Sequence, residues 1–164
     1  MRPKVICAFA GLGKTTVSKK YKNIYDLQSS PYRYDYTNID KKDYEKMKLD
    51  DSRIPDPNWP NNYLCALKEL MEKYDLVLVP SNPDVRELLV NNKIDFLFVL
   101  PSYNYRDILF ERYKRRGNNI TMINSAMNDF DTYSRNQNDY EYPITILDEN
   151  QSLEDLLIEF GYIK

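Results

Sequence analysis

The chain alternates between short, mainly apolar runs and longer stretches in which apolar residues recur at helical spacing. Short, mainly apolar runs are typical of buried strands, and they lie at about 4–9, 24–27, 75–80, 96–100 and 144–147. Helical spacing predicts helices at about 14–21, 61–74, 83–89, 103–116, 120–134 and 153–160. Strands that alternate with helices pair in parallel through right-handed crossovers. The pattern therefore predicts an α/β fold, a three-layer sandwich with a five-stranded parallel sheet.

Capping residues mark where several of these helices begin and end. Asn61 or Asn62 can cap the second predicted helix, and Asn82-Pro83-Asp84 combines a cap, a proline and an acidic residue at the start of the third. Ser152 and Asp155 have the spacing of a capping box. Two helices are predicted to end at glycines, Gly117 and Gly161.

The connection between the second strand and the second helix, at about 31–60, has no regular period. Its middle, about 41–49, predicts a short surface helix. Such a long, irregular segment suggests an insert that covers a substrate, with aromatic side chains that can stack on a planar base. A solvated loop whose aromatic side chains pack onto the protein remains an equal alternative. The aromatic residues are Tyr32, Tyr34, Tyr36, Tyr44 and Trp59.

The first strand runs into the most informative stretch, Ala8-Phe9-Ala10-Gly11-Leu12-Gly13-Lys14-Thr15-Thr16. The chain has only 4 glycines, and two of them fall in this turn. Glycines allow positive φ, so successive backbone N–H groups can point at one anion, and the first turn of the following helix adds further unpaired donors. A strand, a glycine-containing turn and a helix in this order predict a phosphate-binding loop.

The residues after the glycines suit the phosphates of a nucleotide. Lys14 can reach the β- and γ-phosphates, the Thr15 hydroxyl is placed to ligate Mg²⁺, and Thr16 adds a phosphate contact. The residues predicted to bind the nucleotide are Gly11, Leu12, Gly13, Lys14, Thr15 and Thr16.

Composition narrows the possible functions. The chain has 164 residues, which suits one domain with a sheet covered on both faces. A net charge of −2 gives no basic field, so an extended nucleic-acid footprint is not expected, although a short oligonucleotide end would still fit. The absence of histidine excludes Ser-His and Cys-His nucleophilic sites and histidine-containing metal sites.

The two cysteines and the start of the chain bear on its location. Cys7 lies in the first strand and Cys65 in an apolar helical pattern, and both are expected to be buried and reduced. Met-Arg-Pro-Lys leads directly into the first strand without a signal-peptide pattern, and no apolar run reaches membrane-spanning length. The expected location is the cytoplasm.

The segment 8–16 resembles the Walker A motif, G-x-x-x-x-G-K-[ST], with Ala8 in place of the first glycine. The arrangement A-x-x-G-x-G-K-T-T is most similar to the phosphate loops of small-molecule and nucleotide kinases. The order of elements along the whole chain is similar to that of the nucleoside-monophosphate kinases, a group of P-loop proteins. This resemblance implies a P-loop NTPase fold of the nucleotide kinase type, with the predicted strands in the order 2-3-1-4-5, and an insert that clamps the phosphoryl acceptor.

The same resemblance implies a lid, at about 103–120, whose arginines neutralise the phosphoryl group. Lid arginines are matched by Arg112, Arg115 and Arg116, and Arg86 could bind the acceptor phosphate. An alternative for the arginines is that basic residues at a helix C-terminus interact with the helix dipole and face water. The segment Ser81-Asn82-Pro83 departs from the family, which has Asp-Gly-x-Pro-Arg there, so no motif names the acceptor.

The leading expectation is an enzyme, an ATP- and Mg²⁺-dependent kinase that acts on a nucleotide or a similar small acceptor. A hydroxyl acceptor would gain from a carboxylate base, and Asp26, at the carboxyl end of the second strand, is the best-placed candidate. Alternatively, Asp26 could serve as a cap or could bind Mg²⁺ through a water molecule. The alternative from another class is an ATP-binding switch that hydrolyses slowly and acts through a partner. Oligomeric state is left open.

Overall fold

The computed structural model describes residues 2–164, so Met1 lies outside the described residues, and it shows an α/β fold. Short 3₁₀ turns precede α3 and α6, at Lys41–Asp43 and Tyr103–Tyr105. The strands and helices in chain order are β1 (Val5–Ala8), α1 (Lys14–Lys20), β2 (Ile24–Asp26), α2 (Ser30–Arg33), β3 (Tyr34–Asp35), α3 (Tyr44–Leu49), β4 (Ile54–Pro55), α4 (Asn61–Lys73), β5 (Leu76–Pro80), α5 (Pro83–Asn91), β6 (Phe96–Pro101), α6 (Arg106–Arg115), α7 (Ile120–Arg135), β7 (Ile144–Leu147) and α8 (Leu153–Glu159).

Five parallel strands form the main sheet in the order β2-β5-β1-β6-β7. This is the order 2-3-1-4-5 of the five predicted strands. The central strand β1 pairs on both sides, with Val5 opposite Val77 and Phe96. All four residues of β1 are buried, because helices cover both faces of a sheet of this type. The carboxyl ends of the strands meet at one edge, where open α/β folds bind ligands.

Helices lie on both faces of the sheet. The α1 crossover runs from β1 to β2 and the α5 crossover runs from β5 to β6, in opposite directions along the sheet, so right-handed connections place the two helices on opposite faces. On the face of α1, Lys20 and Tyr21 both bond to Glu154 of α8. On the face of α5, Arg86 and Tyr133 of α7 both pack on Phe98.

The helix predictions are largely confirmed, with two corrections at α4. The cap prediction is wrong, because Asn61 and Asn62 already belong to the helix and Pro60 is the N-cap. The prediction that Cys65 is buried is also wrong, since it is exposed. The helix turns Tyr63 and Leu67 to the core instead, and the Tyr63 hydroxyl donates to the Leu27 carbonyl at 3.0 Å.

The remaining caps agree better with expectation. Ser152 and Asp155 form the predicted capping box of α8, and Gly117 and Gly161 adopt positive φ after their helices. Among residues 2–164, no helix combines the length and the apolar character needed to cross a bilayer.

Candidate phosphate-binding site

The loop between β1 and α1 has the backbone geometry of an anion cradle. Gly11 and Gly13 have φ of 86° and 98°, and the first bond of α1 runs from the Val17 N–H to the Gly13 carbonyl at 3.0 Å. Within the described residues, the N–H groups of 10–16 donate to no protein acceptor. Consecutive unpaired donors in a loop with positive φ are what a phosphate group requires. We call residues 8–16 the phosphate loop.

The phosphate loop is fixed to the core at its entry. Ala8 is still part of β1 and pairs with Pro80 and Val99, so an alanine fits where the related motif has a glycine. Phe9 is 2% exposed, and its ring meets the rings of Phe130 and Tyr133 edge-on at 5.9 Å each. The loop therefore leaves the sheet from a rigid base.

Lys14 lies folded against the loop. Its Nζ donates to the carbonyls of Ala8 at 2.9 Å and Phe9 at 3.3 Å. Burial lowers the pKa of Lys14 below its ordinary value, the Asp26 carboxylate opposes that shift, and the Arg116 guanidinium adds to it. Both Asp26 and Arg116 are thus close enough to act electrostatically on the same ammonium group.

Thr15 and Asp26 form the second part of the site. The Thr15 hydroxyl donates to Oδ2 of Asp26 at 2.7 Å. The other carboxylate oxygen, Oδ1, is buried and has no partner among the described residues. A buried carboxylate oxygen without a donor is costly, so this atom suits a cation, a bound water or a substrate hydroxyl.

The site has few protein groups that could hold a metal. Residues 2–164 contain no cluster of three or more histidine, cysteine, aspartate or glutamate side chains suited to a metal ion. Mg²⁺ does not need such a cluster, because it is usually held by one or two protein oxygens together with water and substrate phosphates. Thr15 and Asp26 fit that requirement.

Helix α6 contacts the phosphate loop through the loop carbonyls. The Tyr113 hydroxyl donates to the Ala10 carbonyl at 2.6 Å, and Nη1 of Arg112 donates to the Gly11 carbonyl at 2.9 Å. Arg112 was predicted as a lid arginine, and the structure shows it bound to the loop. Only its place on the core face of the helix distinguishes Tyr113 in the sequence, so its bond to the loop was not predicted.

The other predicted arginines lie in different surroundings. Arg116 is exposed and its side chain makes no hydrogen bond or ion pair with the described residues, although its backbone N–H donates to the Arg112 carbonyl, and Arg115 is likewise exposed. Arg86 is buried, with its guanidinium packed on the rings of Phe98 and Tyr133 and its Nε donating to the Ser81 carbonyl at 3.0 Å. Aromatic rings, the Ser81 carbonyl and the Tyr142 hydroxyl therefore surround Arg86, which makes no ion pair with a carboxylate of the described residues.

The aromatic residues of the insert divide into two groups. Tyr34 and Tyr36 line a cavity of about 690 Å³ together with Tyr44 of α3. Tyr32 and Trp59 do not line it. Both pack on Tyr63, and the Arg33 guanidinium lies 4.2 Å from the Trp59 ring centre.

A second cavity, of about 520 Å³, separates α3 from the junction between α6 and α7. Arg116 and Gly117 line one side of it. Glu45 and Lys48 of α3 line both this cavity and the one beside Tyr34. The insert and the predicted lid therefore face each other across this cavity. The sequence did not predict Glu45 and Lys48 as site residues, because the pattern at 41–49 indicated only a short surface helix.

A larger cavity, of about 850 Å³, lies beside Tyr103, Arg106 and Ile146. It shares no lining residue with the phosphate loop, Asp26 or the insert. Of its two arginines, Arg106 forms a bidentate pair with Asp131, at 2.9 Å and 3.0 Å, and Nε of Arg135 donates to the Asp131 carbonyl at 3.3 Å.

The chain matches no protein-family model, and no curated protein matches it. The geometry of the phosphate loop and its neighbours is therefore the basis for assigning a function.

Proposed function

We propose that the protein is an ATP- and Mg²⁺-dependent phosphotransferase of the P-loop type, which transfers the γ-phosphoryl group to a nucleoside or deoxynucleoside monophosphate. The observation that carries this proposal is the row of unpaired N–H groups at residues 10–16, next to Lys14 and the Thr15–Asp26 pair. The order of the five parallel strands supports it, since this order is the one that the resemblance to nucleotide kinases implies. Such an enzyme of nucleotide metabolism would work in the cytoplasm.

Each group near the loop has a role in this reaction. The loop N–H groups and Thr16 bind the phosphates, and Lys14 exchanges its bonds to the Ala8 and Phe9 carbonyls for bonds to phosphate oxygens. Arg116 supplies a second positive charge close to Lys14, where negative charge spreads in the transition state. In the transfer, the acceptor oxygen bonds to the γ-phosphorus of ATP, the bond from that phosphorus to the β-phosphate oxygen breaks, and ADP departs.

Thr15 and Asp26 are the residues that would hold Mg²⁺, and the ion would supply positive charge to the phosphates. Thr15 would hold the ion through its hydroxyl oxygen, and Asp26 would hold it through water. The short bond between the two side chains keeps both oxygens at the same point of the sheet edge.

The acceptor would lie between the insert and the lid. Tyr34, Tyr36 and Tyr44 supply aromatic faces at one end, and Lys48 and Arg116 supply positive charge toward the other. An aromatic end next to a cationic end suits a nucleoside monophosphate, with its planar base and its phosphate. Tyr32, Trp59, Arg115 and the buried Arg86 do not line either cavity and are not needed for this arrangement.

One observation favours a second candidate, a kinase of a hydroxyl acceptor. The free Oδ1 of Asp26 can accept the proton of an attacking hydroxyl group, whereas an acceptor phosphate is already ionised and needs no base. In that reaction the acceptor oxygen bonds to the γ-phosphorus, ADP departs, and the proton passes to Asp26.

The experiment is a measurement of ADP release from ATP and Mg²⁺ with a panel of nucleoside monophosphates, nucleosides and small alcohols. We expect release to depend on a monophosphate. Release only with hydroxyl acceptors would select the second candidate, and release without any acceptor would indicate a hydrolysing switch protein. No release with any member of the panel would contradict the proposal.

Lys14→Ala should lower the rate by about 100-fold or more, since it removes a cation from the transferring phosphates. Lys19→Ala is the matched control, because Lys19 is an exposed lysine of the same helix. Circular dichroism checks that both variants are folded. Parent-like turnover in a folded Lys14→Ala protein would remove the phosphate loop from the reaction.

A further inference from the structure

The phosphate loop has an unusual row of bonds on its carbonyl side. The carbonyls of residues 8, 9, 10 and 11 each accept a hydrogen bond from a side chain. Lys14 supplies the first two, and α6 supplies the others through Tyr113 and Arg112. These four carbonyls are therefore all held, while the N–H groups of residues 10–16 are unpaired within the described residues.

The planarity of the peptide bond connects these two facts. In a trans peptide the carbonyl of one residue and the N–H of the next lie in one plane and point in opposite directions. A donor that holds the Ala10 carbonyl therefore fixes the direction of the Gly11 N–H. A donor on the Gly11 carbonyl fixes the Leu12 N–H in the same way.

We propose that Tyr113 and Arg112 are positioning residues that set the phosphate affinity of the loop by holding its carbonyls from behind. We call this pair the α6 clamp. The inference rests on the proposed function, because it concerns how the same loop binds the phosphates of a nucleotide. When Lys14 turns to the phosphates it releases the Ala8 and Phe9 carbonyls, so the α6 clamp is what continues to hold the loop.

The surroundings of Tyr113 keep its hydroxyl in position to donate a hydrogen bond to the Ala10 carbonyl. The residue is 3% exposed, and its ring packs so closely on Gly11 that a Cβ there would lie 2.9 Å from Cε1 of Tyr113. Burial raises the pKa of the Tyr113 hydroxyl above its ordinary value, so the hydroxyl keeps its proton. A buried, protonated hydroxyl with one carbonyl in reach has a fixed direction of donation.

The clamp also separates two arginines that are four residues apart. The Arg112 side chain is bound to the loop, whereas the Arg116 side chain has no partner among the described residues and lies at the C-cap of α6. We therefore assign Arg112 to loop positioning and Arg116 to the moving phosphoryl group. The two substitutions should change different kinetic constants.

The test compares Tyr113→Phe with Tyr162→Phe. Tyr162 is a suitable control because it is also buried and its hydroxyl donates to a backbone carbonyl, that of Pro3, at 2.5 Å, at the opposite edge of the sheet. Removing either hydroxyl breaks one hydrogen bond and keeps the ring. Thermal unfolding of the two variants measures the structural cost of that loss.

Calorimetric titration with ADP and Mg²⁺ measures phosphate affinity. Loss of one net hydrogen bond predicts ADP binding about threefold to tenfold weaker in Tyr113→Phe and unchanged in Tyr162→Phe. Turnover at saturating ATP and acceptor should stay within about twofold of the parent in Tyr113→Phe, since the groups on the moving phosphate are intact. Arg112→Met should have the same two effects, namely weaker ADP binding and an unchanged turnover number.

The outcomes separate the two claims. If the parent and Lys14→Ala bind ADP equally, or the parent binds none, the proposed function fails. If the parent binds ADP, Lys14→Ala does not, and Tyr113→Phe binds as well as Tyr162→Phe, the proposed function stands and the α6 clamp is wrong. A fall in turnover alone, without weaker ADP binding, would also contradict the clamp.

Discussion

Asp26 is the residue whose environment has the clearest chemical consequence. One oxygen accepts the Thr15 hydroxyl at 2.7 Å, and the other is buried without a partner. The position at the end of β2 brings a carboxylate to the carboxyl edge of the sheet, beside the phosphate loop. The nucleoside-monophosphate kinases that the sequence resembles carry an aspartate after the strand that corresponds to β5, where the chain has Ser81. In the proposed function, Asp26 would be the carboxylate of the site.

Asp26→Asn tests this role with almost no change in side-chain size. We expect turnover to fall by about 100-fold or more if the carboxylate is a base, because an amide cannot take the proton. Raising the Mg²⁺ concentration should restore part of the rate only if Asp26 acts through the metal. Asp75→Asn, at the opposite edge and bonded to Asn23, is the control. A parent-like rate in Asp26→Asn would exclude both roles.

The insert and the end of α6 are the elements that would close over a substrate. The insert is tied at its base, where Arg33 makes a bidentate pair with Asp84 of α5 and Asn62 donates to the Tyr32 carbonyl at 2.8 Å. Helix α3 lies beyond this anchor and faces Arg116 across a cavity. Closure would therefore involve α3 and the α6–α7 junction more than the base of the insert.

Arg116→Ala should lower the turnover number by about tenfold or more at saturating ATP and acceptor, because the transition state gains more from this charge than the bound substrates do. Arg115→Ala is the control on the same turn of helix, since Arg115 lines neither cavity near α3. Steady-state kinetics of both variants measure the difference. Equal effects of the two substitutions would show that Arg116 contributes only general positive charge.

The sheet and most helices could be predicted because burial imposes a regular pattern on the sequence. Apolar runs marked all five strands of the main sheet, and Ser152 and Asp155 marked the start of α8. The antiparallel pair of β3 and β4 could not be found, because two-residue strands are too short to show a period. The exposure of Cys65 was missed because a small apolar residue fits either face of a helix.

The candidate site was predictable only where it is local in sequence. The phosphate loop can be predicted because its glycines and Lys14 lie within a few residues of one another. The bonds from α6 join residues about a hundred positions apart along the chain, and no local pattern reports them. The partnership of Thr15 and Asp26 depends likewise on the pairing of β2 with β5, which brings the end of β2 to the edge where the loop lies.

Among residues 2–164, the unpaired N–H groups of the phosphate loop, the unpartnered Oδ1 of Asp26 and the unpaired side chain of Arg116 lie at one edge of the sheet. The most direct test of a nucleotide phosphate site there is an NMR titration of ¹⁵N-labelled protein with ADP and Mg²⁺. We predict that the largest shifts fall on the amides of residues 10–16 and disappear in Lys14→Ala. Shifts centred instead on the cavity beside Tyr103, Arg106 and Ile146, or no shifts at all, would contradict the account.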